Sequence, residues 1–315
     1  MLPFVAFVNF VVLETMNQPE EKAMANKNTR EKIKELEVMV ADAIQETPDT
    51  VTLVLFTGND TLDYAPGHFL TISPHQFPGL ERWVRYLEDL KGKKEPPRAY
   101  SLSSSPDEKY LAITVKEERY ISGVTPYPPL LSPILAQRTR PGTKMVITGF
   151  TGPYTLSEKI RRTCEQYVHI CAGSGIVPSY SIIKHDLRTR EGTRHTLIYS
   201  NKVVEDIIFF KQLHELEKQF PGRFKVIHTL TREKNAHMVS ERIRLGRVSR
   251  ELVQEAIPEP EAVCVFACGP DHTVWQKRAA REKGETLPPT FMGSVLRYLE
   301  EVGVPKDRIV KESYG

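Results

Sequence analysis

Arg98-Ala99-Tyr100-Ser101-Leu102-Ser103-Ser104 is the stretch around which this sequence organises itself. Its core, Ala99 to Ser103, reads as a short strand, and it is one of six such segments in the first half. The others are Val38 to Ala43, Val51 to Phe56, Phe69 to Ser73, Leu111 to Val115 and Met145 to Phe150. All are rich in Val, Ile, Thr and Tyr and are bounded by Gly, Pro, Asp or Asn, which is the signature of strands joined by turns. Short strands in this rhythm predict a small antiparallel barrel or sandwich. Pro74 to Pro97 breaks the rhythm: Leu80, Trp83, Val84, Tyr86, Leu87 and Leu90 fall at helical spacing and lead to a basic tip at Lys91, Lys93 and Lys94.

Beyond about Glu158 the period changes. Apolar strands at Tyr167 to Ala172, Thr196 to Tyr199, Phe224 to Thr229 and Ala262 to Ala267 alternate with helical segments at Pro178 to Leu187, Glu205 to Gln219, Arg250 to Ile257, His272 to Glu282 and Pro289 to Val302. Such alternation predicts βαβ units and a parallel sheet. The first strand runs into Ala172-Gly173-Ser174-Gly175-Ile176-Val177-Pro178. Glycines there let the backbone turn tightly and approach a phosphate, while the helix that follows offers free N–H groups and partial positive charge. Pro178 replaces the third glycine of the dinucleotide fingerprint and suits the first helical position. The next strand ends Tyr199-Ser200-Asn201-Lys202, without the acid that would grip a ribose 2′-hydroxyl. A hydroxyl, an amide and a cation fit a 2′-phosphate better, with Arg232 and Lys234 within reach, so the reading leans to NADPH over NADH.

Composition sets the bounds. The chain has 315 residues, 40% hydrophobic and 26% charged, with 43 basic against 40 acidic residues, a net charge of +3. This is ordinary globular usage with room for two domains, and the charge balance gives no footing for a dedicated nucleic-acid binder. The four cysteines (Cys164, Cys171, Cys264, Cys268) are too few for a disulfide scaffold and form no C-x-x-C pair, so no metal site is expected; Cys264 reads as core. The apolar run Met1 to Met16 is interrupted by Asn9 and Glu14 and is shorter than the roughly 20 residues a spanning helix needs. It also lacks the basic start of a signal peptide. A cytoplasmic protein without a membrane anchor is expected.

Taken together and in order, Arg98-x-Tyr100-Ser101-x-x-Ser104, the Gly173–Pro178 loop, Cys268-Gly269-Pro270 and the terminal Glu312-Ser313-Tyr314 resemble the ferredoxin–NADP reductase family, in particular reductase modules that lack a fused ferredoxin domain. The resemblance covers roughly residues 36–315. It implies two domains: an antiparallel Greek-key β-barrel that binds FAD (36–157, with a helical insertion at about 75–96), then an α/β domain with a parallel five-stranded Rossmann-like sheet that binds NADPH or NADH (158–315). Residues 1–35 form an N-terminal extension. Arg98 is implied on the pyrophosphate, Tyr100 on the flavin face, Ser101 near flavin N5, and Ser104, Val115 and Lys116 along the rest of FAD. Ser132 stands at the start of a phosphate-binding helix, where Pro129 replaces the expected glycine and Gly123 lies upstream. Gly152 belongs to the turn that closes the barrel. Gly173, Ser174, Gly175, Pro178, Ser200, Asn201, Lys202, Gly269 and Pro270 are implied on the nucleotide; Cys268, Glu312 and Tyr314, with Ser101, line the hydride path.

The activity implied is hydride transfer from NAD(P)H to FAD, followed by single-electron delivery to a separate ferredoxin, flavodoxin or oxygenase partner. The cysteines lack the C-x₄-C-x₂-C spacing of a plant-type cluster, so any iron–sulfur centre is expected on that partner. The insertion around Trp83, with Lys91, Lys93 and Lys94, is a candidate docking surface for an acidic protein. The alternatives are a non-catalytic electron-transfer subunit of a larger complex and a flavin-binding scaffold.

Overall fold

Each expected strand of the first half exists in the computed structural model, which describes residues 35–58, 62–120, 122, 127–235, 237 and 239–314. The predicted extension at 1–35, and Gly123, lie essentially outside those residues. β1 (Leu36–Thr47), β2 (Thr50–Phe56), β3 (Phe69–Ile72), β4 (Arg98–Ser101), β5 (Leu111–Lys116) and β6 (Lys144–Thr151) form one antiparallel sheet in the order β4-β3-β6-β1-β2-β5. A bridge between Leu102 and Ile113 joins the two edges, so the sheet closes on itself. Leu53, Leu70, Ile72, Leu102 and Ile113 are fully buried inside it. The helical insertion is α1 (Glu81–Lys91), which buries Val84 and Leu87 against the barrel and ends at Gly92.

The insertion's cations are less free than its sequence implied. Lys91 reaches back to Glu95 at 2.5 Å and lies over the Tyr127 ring. Arg98 holds the other oxygen of Glu95, also at 2.5 Å. Glu95 is thus a buried carboxylate clamped by two cations. Burial alone would raise its pKa, and the two hydrogen bonds bring it below the usual carboxylate range.

The second half contains α3 (Glu158–Thr163), β7 (Gln166–Ala172), α4 (Ile176–Thr189), β8 (Arg194–Asn201), α5 (Phe210–Gln219), β9 (Phe224–Leu230), β10 (Ile243–Leu245), α6 (Arg250–Ala256), β11 (Val263–Pro270), α7 (Val274–Lys283), α8 (Phe291–Val302) and β12 (Ile309–Tyr314). A short helix, α2 (Ser132–Gln137), precedes β6. The sheet is parallel throughout in the order β10-β9-β8-β7-β11-β12. It has six strands, not the expected five. β10 is three residues long and half exposed, too short to leave a periodic signal.

A second correction concerns cysteine. Cys164 and Cys264, the latter read as a plain core thiol, form a disulfide across a sequence separation of 100 residues. It ties the chain just before β7 to β11. Cys171 and Cys268 are the free, buried pair.

The two halves meet along α4. Lys184 donates to Glu108 at 2.6 Å, His185 contacts Asp107 at 2.7 Å, and Arg188 reaches both acids. The Ser181 hydroxyl donates to the Ser104 carbonyl at 2.6 Å. The Lys184 and Glu108 side chains are 4% and 11% exposed. Removing one partner of such a pair strands the other charge. Arg188 would still hold Glu108 if Lys184 were lost, but Lys184 has Glu108 as its ion-pair partner, so Glu108→Gln is expected to destabilise the protein by about 3 kcal/mol, read from denaturant unfolding. Glu108→Gln combined with Lys184→Met recovers part of that loss.

Candidate functional site between barrel and parallel sheet

β4 and β5 present their outer faces toward the carboxyl ends of the parallel strands, and two joined clefts lie between them. One, of about 350 Å³, is lined by Arg98, Tyr100, Ser101, Val115, Lys116, Ser132 and Tyr314. The other, of about 760 Å³, is lined by Gly173, Ser174, Ser200, Asn201, Lys202 and Pro270. Lys116, Ser174 and Tyr314 belong to both, so the clefts are continuous. A further cavity of about 780 Å³ opens at the amino ends of β7, β8 and β9 and contains none of the predicted residues.

At the junction, residues 213 positions apart meet. The Ser101 and Tyr314 hydroxyls are 2.8 Å apart. Their meeting follows from register: β12 runs beside β11 with Cys268 opposite Glu312 and Pro270 opposite Tyr314. The segment at 312–314 is thus an edge strand of the sheet. Burial pushes the Cys268 thiol far above its ordinary value, with Cys171 and Glu312 adding to the effect. Burial also raises Glu312. Its Oε2 is buried without a hydrogen-bond partner.

The glycine loop makes the tight turn from β7 into α4 that its sequence suggested. Gly173 has φ +54, and a Cβ there would project into open space, leaving bare backbone facing the cleft. Gly175 serves packing: a Cβ would collide with the Cys268 carbonyl, so glycine alone lets the loop lie against β11. Tyr199 Oη fixes the loop by donating to the Gly173 carbonyl at 2.9 Å.

Seven predicted residues do not line the clefts: Gly175, Cys268 and Glu312, placed above, and Ser104, Gly152, Pro178 and Gly269. Ser104 is fully buried and accepts hydrogen bonds from Tyr64 and the Ala112 N–H, because the strand has turned inward by the end of its signature. Gly152 packs against the Phe69 ring. Pro178 is buried in the first turn of α4. Gly269 packs against the Phe291 ring. Ser132 lines the cleft, but its hydroxyl already accepts from the Glu118 N–H.

Sequence reasoning missed Arg247, Thr290, Arg297 and Tyr298 on the larger cleft and the acids Glu117 and Glu118 on the smaller one. Arg247 follows the overlooked β10, so missing that strand hid the arginine. Arg297 and Tyr298 lie in a helix read only for its period.

The residues fit a flavin dinucleotide and a nicotinamide nucleotide. Tyr100 offers a ring to the smaller cleft, with Val115, Leu130 and Leu131 as apolar wall. Arg98 spends two N–H groups on Glu95 and the Pro96 carbonyl, leaving three of its five for an anion. Lys116 is paired with Asp49 at 2.6 Å and keeps two donors. In the larger cleft the Asn201 amide nitrogen is buried and unpartnered, an acceptor's natural site.

Beneath the sheet the chemistry is different. His169, His195 and Asp186 form a buried row, with His195 2.9 Å from Asp186. Burial alone would raise the Asp186 pKa, but hydrogen bonds from His195 and Thr193 and the Arg190 charge hold it at about 2. A carboxyl lowered on folding stabilises above its unfolded value. This contribution, about 2 kcal/mol, is therefore present above about pH 4 and is lost as pH falls toward 2. Thermal unfolding measured across that range is expected to reveal the loss, and the slope is shallower in Asp186→Asn.

Comparison with known proteins agrees with this architecture. Residues 169–274 match the family model described as the oxidoreductase NAD-binding domain. Solved structures of similar fold cover nearly all of the described chain. The flavohem-like FAD/NAD binding domain of nitric oxide dioxygenase from Vibrio cholerae has a TM-score of 0.65 at 22% identity, covering 89% of this chain and 98% of that one. Ferredoxin–NADP reductase from Plasmodium falciparum has a TM-score of 0.61 at 17% identity, covering 89% and 96%. The chain thus carries an oxidoreductase NAD-binding domain at residues 169–274 and shares the two-domain fold of the ferredoxin–NADP reductases. Among curated relatives, NADH-cytochrome b5 reductase 2-B of Vanderwaltozyma polyspora is 32% identical over 164 residues, 51% of this chain and 52% of the relative. NADH-cytochrome b5 reductase 2 of Pyricularia oryzae is 30% identical over 226 residues, 70% of this chain and 62% of the relative. The chain spans about half the length of most such relatives. Among the described residues no helix is long and apolar enough to cross a membrane.

Proposed function

We propose that this protein is a flavin-dependent NAD(P)H oxidoreductase of the ferredoxin–NADP reductase type, with FAD on the barrel side of the cleft and the nicotinamide nucleotide on the sheet side. The observation that carries the reading is the meeting of Ser101 and Tyr314 at 2.8 Å, with Cys268 and Glu312 beside them, where the two clefts join. Bound FAD would accept a hydride and release electrons one at a time. The chain's own residues have the remaining work. Tyr100 and the apolar wall hold the ring system; Arg98 and Lys116 offset the pyrophosphate charge; Gly173 and Ser174 bring backbone against the nucleotide phosphates. Ser101 offers a hydroxyl where the hydride arrives. Tyr314 excludes water there until a nicotinamide ring displaces it, and Glu312 offers its free oxygen to the carboxamide.

We favour NADPH as donor. Lys202, Arg232, Arg247 and Arg297 line one end of the larger cleft against the single acid Asp206. Lys202, Arg232 and Arg247 have no ion pair among the described residues. A 2′-phosphate would supply their counter-charge. The relatives named as NADH enzymes favour the other nucleotide, and one substitution separates the two. Lys202→Glu is expected to raise the KM for NADPH about tenfold, the scale of one charge-assisted hydrogen bond, while leaving that for NADH nearly unchanged. Equal effects on both nucleotides would remove the preference.

The electron acceptor is a separate protein in this reading, ferredoxin-like, flavodoxin-like or a haem protein such as cytochrome b5. The function is tested by adding FAD to the purified protein and following flavin fluorescence and absorbance. Stoichiometric uptake supports it; a protein that stays colourless overturns it.

A further inference from the structure

Three side chains converge on Ser179 at the buried start of α4. Tyr154 Oη lies at 2.8 Å, His169 Nδ1 at 3.1 Å and Cys171 Sγ at 3.3 Å. His169 Nε2 lies 3.1 Å from His195 Nδ1, and His195 Nε2 lies 2.9 Å from Asp186 Oδ2. Arg190 donates to the other Asp186 oxygen at 3.1 Å. Ser179, His169, His195 and Asp186 are fully buried or nearly so, and the hydride-transfer site described above makes no use of them.

The direction of every hydrogen bond in this row follows from counting donors. Asp186 is ionised and only accepts, so His195 carries its proton on Nε2. Burial keeps both imidazoles neutral, which leaves His195 Nδ1 as an acceptor. His169 therefore carries its proton on Nε2, and its Nδ1 accepts from Ser179. A hydroxyl has one hydrogen and two acceptor sites. With its hydrogen spent on His169, Ser179 accepts from Tyr154 and from Cys171, which fills it. Cys171 is the register partner of Cys268 on the neighbouring strand. With the Cys171 hydrogen drawn toward Ser179, Cys268 faces sulfur lone pairs and not a competing donor.

We propose that Asp186, His195, His169 and Ser179 form a positioning chain. It fixes the Cys171 thiol and Tyr154 hydroxyl behind Cys268, and through them sets the hydrogen bonding of the Cys268–Tyr314–Ser101 group. The proposal rests on the oxidoreductase reading for its kinetic consequence, but not for its geometry. The other charged or titratable groups around the two rings are Arg190 just after α4, Arg223 ahead of β9 and Tyr167 on β7.

Asp186→Asn tests it directly. Arg190 holds the amide oxygen toward itself, so the NH₂ faces His195. It then donates to His195 Nε2, and both imidazoles must carry their protons on Nδ1. His169 now donates to Ser179, and the Ser179 hydrogen turns toward Cys171, the weaker and more distant of its two donors, whose S–H loses its acceptor. The whole row reverses. Nitrogen-15 NMR of labelled histidines is expected to report the Nε2–H tautomer at His169 and His195 in the wild-type protein and Nδ1–H in the variant. The S–H stretch of Cys171, assigned in Raman spectra with Cys171→Ala, is expected to move to higher frequency. Both readings are made without flavin.

In the flavin-loaded enzyme, the limiting rate of reduction is expected to fall about tenfold in Asp186→Asn with nucleotide affinity unchanged, the scale of coupling through such networks. Ser179→Ala should reproduce the shifted S–H band and the slower reduction while keeping the wild-type tautomers. It therefore serves if Asp186→Asn fails to fold. Unchanged tautomers and S–H band would overturn the chain. A reversed chain with an unchanged reduction rate would overturn its role at the site. Failure of the wild-type protein to be reduced at all would refute the oxidoreductase reading, while the flavin-free spectra still decide the geometry.

Discussion

Ser101→Ala is expected to slow flavin reduction by NAD(P)H roughly a hundredfold, the scale of a single hydrogen-bonding group that acts in the transition state. FAD should remain bound at full stoichiometry. The hydroxyl is buried at the junction of the clefts and hydrogen-bonds to the side chain of Tyr314, so removing it disturbs neither Arg98, Tyr100 nor Lys116. Ser101→Thr keeps the hydroxyl and should retain most of the rate. The measurement is the limiting rate of flavin bleaching under single-turnover conditions at saturating nucleotide. An unchanged rate in Ser101→Ala would remove Ser101 from the hydride path. A protein that loses its flavin would reassign it to cofactor binding.

The second large effect is on stability. Cys264→Ala is expected to cost between 4 and 5 kcal/mol, because a cross-link closing a loop of about 100 residues removes about that much from the unfolded chain's conformational freedom. The disulfide lies at the amino ends of β7 and β11, away from both clefts, so nucleotide affinity should stay within a factor of about two. The wild-type protein unfolded in denaturant with a thiol reductant should match the variant. Titration of the denatured, unreduced protein should find two free thiols, Cys171 and Cys268. Four free thiols would remove this contribution.

Much of the fold was legible because its signals are local. Alternating strands followed by strand–helix repeats separate a barrel from a parallel sheet, and the glycine loop falls where a strand must turn into a helix. The site was legible where the strand itself borders the cleft, as with Tyr100 and Ser101 at the end of β4 and Lys116 at the end of β5. It was misread where geometry turns the chain: Ser104 ends the same signature three residues after Ser101 but points into the barrel. What stayed hidden depends on distance in sequence. Nothing near Cys164 marks Cys264 as its partner. Glu95 lies close to Arg98 in sequence, yet only the fold buries it and so ties up part of the guanidinium. The histidine row draws on two strands and a helix, each contributing one unremarked polar residue to an apolar pattern. β10 was too short to carry a period, and with it went Arg247.

The central claim is that barrel and sheet together deliver a hydride from NAD(P)H to a flavin at the Ser101–Cys268–Tyr314 junction. Anaerobic stopped-flow mixing of the FAD-loaded protein with NADPH, and separately with NADH, tests it most directly. The oxidised flavin band is expected to bleach in a single turnover with at least one nucleotide, faster with NADPH. A flavin that stays oxidised with both would contradict it.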